Sequence, residues 1–198
     1  QQVSRSDLFL IMTAGMATIA GTIMVIYASI LSPVIPNALA QLLIASLISA
    51  PAAVMVARIM IPDSAGGDEG GHWDPPRQDS SSLDAIARGT FEGVGLLVNI
   101  VAMLVVLVAL VALVNQFLGL LPALGGEAIS LQRLLGWVLA PLTWLMGIPA
   151  SEAVTAGGLM GVKTILNEFL AYLELAALPE GALSERSRLI MTYALCGF

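Results

Sequence analysis

Gly161-Val162-Lys163-Thr164-Ile165-Leu166-Asn167-Glu168-Phe169-Leu170-Ala171-Tyr172 is the stretch that decides how this chain must fold. It lies within 150–175, a segment of roughly one spanning length that is not uniformly apolar. An ammonium group, an amide and a carboxylate sit in its middle. A charge at the centre of a spanning helix costs about 2.5–3.5 kcal/mol on insertion scales. Such side chains persist where they face a protein-lined, watered cavity and have a task there. Gly157, Gly158 and Gly161 read as helix weakeners, so one lipid-crossing helix is a poor home for Lys163, Asn167 and Glu168. Two half-length helices that enter and return on one side fit better. The expectation is a re-entrant hairpin over 149–178, with the polar residues at its turn near the bilayer midplane.

The rest of the composition agrees with a membrane setting. Of 198 residues, 58% are hydrophobic and 11% charged, about half the charge of a soluble domain of this size. The mean hydropathy is +0.90, and the apolar residues fall in blocks long enough to cross a hydrocarbon core. The fold class expected is all-α, a polytopic integral membrane protein. A net charge of −6 with no basic patch argues against nucleic acid as a partner. Cys196 is the single cysteine, which excludes an internal disulfide or a cysteine-rich metal site, and the single histidine, His72, falls in a polar loop. The start, Gln1-Gln2-Val3-Ser4, has neither an initiator Met nor a basic leader, and Phe198 stops inside an apolar segment; both ends read as cut.

Taken in order, a first span is expected over 8–31, capped by Ser6 or Asp7. In its middle, Met12 to Thr22 repeats small residues at helical spacing. This supports close helix packing, or a break in the helix in which Gly15 and Gly21 loosen the backbone and Thr13, Thr18 and Thr22 offer oxygens; the two are compatible. The prolines of Ser32-Pro33-Val34-Ile35-Pro36-Asn37 mark a turn. A second span follows over 38–61, with Pro51 bending it and Arg58 near its end. The region 63–82, rich in Gly and acids, reads as a flexible aqueous loop. Over 83–121 a long helix is expected, with an amphipathic start carrying Asp84, Arg88 and Glu92 and then a featureless apolar run that serves as scaffold. Asn99, Asn115 and Gln116 read as bonds between helices or subunits. Over 122–148 a turn leads into an interfacial helix with Arg133, Trp137 and Trp144, which Pro141 should kink or divide. A last helix enters the membrane over 184–198. The arginine distribution mildly favours a cytoplasmic 62–82 loop.

A buried carboxylate next to an amide suits a vicinal diol. Glu168 accepts from two neighbouring hydroxyls, and Asn167 donates or accepts, through charge-assisted bonds about twice as strong as neutral ones. Lys163 either offsets that charge, reaches the interface, or forms a structural ion pair with Glu168. Catalytic signatures are missing: no Ser-His-Asp set, HExxH, CxxC or Walker-type loop occurs. The chain reads as a non-enzyme without a cofactor.

These residues resemble a known signature. Gly161-x-Lys163-x-x-x-Asn167-Glu168-Phe169-x-Ala171-Tyr172 is similar to the G/A-x-K-x-x-x-N-E-F-V-A-Y/M/F motif of concentrative nucleoside transporters, with Leu170 in place of Val. Met12 to Thr22, Leu43 to Ala52, Pro141 to Pro149 and Tyr193 to Phe198 resemble further stretches of that family, from its fourth core helix to the start of its seventh. The resemblance implies a fragment of an inverted-repeat transporter with discontinuous helices. Segment 1–62 would hold the fourth and fifth core helices of a mobile transport domain, and 83–121 the long scaffold helix. It implies symport of a nucleoside into the cell coupled to Na⁺ or H⁺, in a homotrimer in the plasma (inner) membrane. By resemblance, Glu168 and Asn167 bind substrate, Ile23 touches the base, and Thr18 with the carbonyl of Ile19 ligates sodium. The family's first hairpin and its later ribose-binding Asn and Ser have no counterpart here. A gate-like membrane domain related to iron-uptake GTPase gates, or a structural membrane scaffold, is the alternative.

Overall fold

The structure, a computed structural model, describes residues 4–62, 81–123 and 128–197. The expectations for His72, for the acidic loop up to residue 80, for Glu127 and for Phe198 concern residues outside these ranges. Every regular element among the described residues is a helix: α1 (Arg5–Met16), α2 (Gly21–Leu31), α3 (Ala38–Met60), α4 (Ser82–Leu118), α5 (Leu131–Leu145), α6 (Ala150–Ile165), α7 (Glu168–Ala177) and α8 (Glu185–Leu195).

Local chemistry explains most of the boundaries. The hydroxyls of Ser4, Ser81, Ser130 and Ser184 accept from backbone N–H groups of the first turns of α1, α4, α5 and α8, satisfying donors that have no helical partner. The cap of α1 is therefore Ser4 and not Ser6 or Asp7; Asp7 lies in the first turn, where it favours the helix dipole. The proline-marked turn between α2 and α3 ends on Asn37 at φ 53°, a left-handed conformation that asparagine tolerates. Pro51 and Pro141 both lie inside continuous helices, so Pro141 does not divide α5.

Among the described residues, three apolar stretches are long enough to cross a membrane: Arg5–Leu31 taken through its break, α3 and α4. Helices α5 and α6 form a bent pair that turns through 117° at residues 146–149. A second reversal follows at Leu166 and Asn167, where α7 turns back along α6: Val154, Thr155 and Leu159 of α6 face the same cavity as Glu174 and Leu178, and the Ser184 N–H reaches Glu152 in the first turn of α6 at 3.1 Å. Asn167 and Glu168 lie at this turn. The glycines of α6 do not weaken it. They form its seam with α5, where a Cβ on Gly157 would fall 2.5 Å from the Gly136 carbonyl and one on Gly161 2.6 Å from Leu135. The two backbones approach each other as small residues allow. The Thr143 hydroxyl donates to the Ala153 carbonyl at 2.8 Å and pins the reversal.

The core lies among α2, α3, α6, α7 and α8, built on Tyr27, Leu31, Leu42, Leu159, Tyr172, Leu175, Met191 and Leu195. Helix α4 stands apart, with no buried residue over its 37 positions. It is joined to the start of α5 by Asn115, which donates to Gln132 at 3.0 Å and accepts from the Leu131 N–H at 2.8 Å.

Candidate substrate and ion site

The site is built on helix interruptions. The first separates α1 from α2 over residues 17–20. A Cβ on Gly15 or Gly21 would meet nothing within 4 Å among the described residues, so neither glycine is held there by close packing within the described chain. The carbonyls of Met16, Ala17, Thr18 and Ile19 have no hydrogen-bond partner among the described residues. The Thr18 hydroxyl makes only long contacts of 3.4 Å to the Ala14 and Gly15 carbonyls. One donor is held: the Ile19 N–H reaches the hydroxyl of Ser46, a buried residue of α3, at 3.2 Å. Free carbonyls and a hydroxyl around a broken helix are the hard oxygen donors that mid-membrane sites offer to a small cation.

The second interruption carries the signature. Asn167 caps α7, accepting the Leu170 N–H at 2.9 Å. Glu168 is the first residue of α7, where the dipole favours a carboxylate. Its Oε1 accepts from the Tyr27 hydroxyl on α2 at 3.0 Å, and Oε2 has no partner among the described residues. The side chain is half-buried, neither in open solvent nor sealed in the core. Lys163 does not pair with Glu168: its ammonium donates to the Ala194 carbonyl at 2.8 Å. A cation at the last carbonyls of a helix is favourable, and here it fixes the end of α8.

That end is the third element. Cys196 and Gly197 leave α8 in extended and left-handed conformations, with Gly197 at φ 77°. A side chain at Gly197 would collide with the backbone of Ala17. The close approach lays the end of α8 against the break between α1 and α2. The Tyr193 hydroxyl donates to Gln41 on α3 at 2.7 Å, and the Tyr172 hydroxyl to the Thr192 carbonyl at 2.9 Å.

The fold thus joins α7, bearing Glu168, to α2 through Tyr27. Ile23 lies one turn before Tyr27 and is 39% exposed. Thr18 and Ile19 stand together in the break. Tyr27, Ser46, Tyr193 and Gly197 escaped the sequence reading. Each is an ordinary core or helix-end residue until its partner, 27 to 180 positions away, is known. A cavity of about 430 Å³ adjoins the second break, lined by Leu166, Leu170, Glu174, Asn115 and Gln132 among others; Glu168 is not part of its wall.

Comparison with known proteins places this geometry. Residues 41–198 match the family model described as Na+ dependent nucleoside transporter C-terminus. The chain is 37% identical over 204 residues to the nucleoside permease NupC of Helicobacter pylori, covering 100% of this chain and 47% of that protein. It is 31% identical over 211 residues to sodium/nucleoside cotransporter 1 of Rattus norvegicus, covering 98% of this chain and 32% of that one. A structure of CNTnw in an inward-facing substrate-bound state superposes with a TM-score of 0.79 at 32% identity, covering 100% of this chain and 46% of that one. The chain spans about half the length of the bacterial relatives it matches. Apolar helices of spanning length and a family of transporters, not enzymes, make this an integral multi-pass membrane protein. With its broken helices, its N-E-F carboxylate and a family match over most of its length, the chain belongs to the Na⁺-dependent nucleoside transporter family.

Proposed function

We propose that this chain supplies part of the substrate and ion sites of a symporter that moves nucleosides inward across the plasma membrane, coupled to Na⁺. The observation that carries this reading is Glu168: a carboxylate at a helix interruption, half-buried, held by one oxygen and without a partner at the other among the described residues. A ribose presents two adjacent hydroxyls, and a carboxylate backed by a helix N-terminus binds such a pair through charge-assisted bonds. Asn167 shapes the break by capping α7, and its amide nitrogen remains able to donate to the sugar. Ile23 offers the base an apolar wall. Thr18 and the carbonyl of Ile19 suit a cotransported sodium ion because they are hard oxygens: the hydroxyl only donates, at 3.4 Å, and the carbonyl has no partner among the described residues. The names of relatives, nucleoside permease and sodium/nucleoside cotransporter, support both halves of the reading.

Within this scheme the α1–α3 unit and the α6–α8 unit, which share one core, form the moving part, and the isolated α4 the scaffold around which a homotrimer assembles. Membership of a transporter family supports this reading over a gate-like domain or a structural scaffold. The test is uptake of radiolabelled uridine and adenosine by the full-length protein in proteoliposomes. Uptake should be saturable, sodium-stimulated and lost in Glu168→Ala. Uptake unchanged by that substitution overturns the assignment.

A further inference from the structure

The reading above leaves one group at the site without a task. Tyr27 is 3% exposed, and a buried tyrosine hydroxyl needs a partner. Its partner is the carboxylate assigned to the substrate, at 3.0 Å. The ring is fixed as firmly as the hydroxyl. It lies 4.9 Å from the ring of Tyr172, which is itself tethered to the Thr192 carbonyl, and 6.2 Å from that of Phe169.

The position of Tyr27 along its helix matters more than its contacts. Helix α2 begins at Gly21, directly after the break that holds Thr18 and Ile19. Six residues separate Gly21 from Tyr27, a rise of about 9 Å. An ion at the break and the carboxylate of Glu168 are met at different turns of this helix. One short, interrupted helix nevertheless reaches both: its first turn hangs on the break, and its second turn holds the carboxylate. Whatever orders residues 17–20 sets the placement of α2, and α2 sets the hydroxyl that orients Glu168.

We infer that Tyr27 is a positioning residue that couples ion occupancy of the α1–α2 break to nucleoside binding at Glu168. The inference rests on the transport reading and adds to it. Filling the break fixes α2; α2 holds the Tyr27 hydroxyl on Oε1; Oε2 and the remaining lone pairs are then presented to the ribose. Coupling between two sites is reciprocal, so a nucleoside bound at Glu168 tightens the ion by the same factor.

The experiment is equilibrium binding of radiolabelled uridine and adenosine to the full-length protein, at low and high sodium and at two pH values. Wild type and Tyr27→Phe are compared, with thermal melting in detergent as the fold control. Phe keeps the ring and removes only the hydroxyl. Wild type should bind nucleoside at least about fivefold more tightly with the ion present. In Tyr27→Phe the ion-bound affinity should fall about tenfold, and the ion's effect should shrink to less than about twofold, while melting stays near wild type. A merely structural tyrosine would weaken binding equally with and without the ion, and that outcome overturns the inference. Where Tyr27→Phe melts early, the double variant Tyr27→Phe with Glu168→Gln decides: losses that simply add overturn the inference, and losses that overlap support it. Glu168→Gln alone keeps the two levels apart. If it binds nucleoside normally, the transport-site reading fails and the inference with it. If it abolishes binding while Tyr27→Phe retains full ion coupling, only the inference fails.

Discussion

Helix α4 and the broken pair α6–α7 are both apolar and both read from the sequence as membrane segments, yet they are opposites in structure. Helix α4 runs unbroken for 37 residues, buries none of them, and touches the rest of the chain chiefly through Asn115. The pair α6–α7 is shorter, is interrupted at Leu166 and Asn167, and buries Ala156, Leu159, Val162, Ala171, Tyr172 and Leu175. A continuous helix satisfies its own backbone and can face lipid with nothing else around it. An interrupted helix leaves carbonyls, N–H groups and a carboxylate that only neighbouring protein or a bound solute can satisfy. Polar chemistry and buried packing therefore occur together in α6–α7 and are both missing from residues 101–114 of α4.

Substitutions that sharpen this contrast fall in a clear order of size. Glu168→Gln removes the charge that would strengthen two bonds to a ribose. At about 1.5–3 kcal/mol for each bond to a charged group, uptake should fall a hundredfold or more in a proteoliposome assay. A fall of less than tenfold would mean that α7 is no more functional than α4. Gly157→Ala drives a methyl group into the Gly136 carbonyl, at 2.5 Å, and the Ala140 nitrogen, at 3.1 Å, which are backbone atoms that cannot step aside. It should cost about 1–3 kcal/mol and lower the melting midpoint in detergent by several degrees. Gly95→Ala in α4, where nothing lies within 4 Å, should leave that midpoint unchanged or raise it slightly. Equal effects at the two glycines would erase the distinction between packed and unpacked helix.

Ser46→Ala leaves the Ile19 N–H without its acceptor. At about 1 kcal/mol, it should raise the half-saturating sodium concentration about fivefold without altering nucleoside affinity at saturating sodium. Smallest of all is Val105→Ile, an exposed change in the plain part of α4. It should alter uptake by less than about twofold; a larger loss would show that the α4 surface contributes more than a platform.

Legibility followed the range of the forces involved. The interruption at Asn167 could be found because a cap is a local device, one side-chain oxygen and one N–H three residues on. The interruption near Thr18 was visible as one of two compatible readings, since clustered small residues serve packing and breaking alike; the break between α1 and α2 is what the structure shows at 17–20. Gly157, Gly158 and Gly161 misled for the same reason in reverse. Their spacing suggests weakness in an isolated helix, but against α5 it becomes the means of close approach. The partner of Lys163 was equally hidden, because Glu168 lies five residues away in the chain and Ala194 thirty-one.

By itself the sequence determined that the chain lies in a membrane, that it is helical, that a break falls at Asn167 and Glu168, and that the carboxylate there is Glu168. These follow from hydropathy, caps and the cost of a charge in hydrocarbon, all of which act within a few residues. Only the tertiary structure decided that Tyr27 holds Glu168, that Ser46 holds Ile19, and that Gly197 closes on Ala17. Those contacts join residues 27 to 180 positions apart, and their energy exists only once a shared core has brought the helices together.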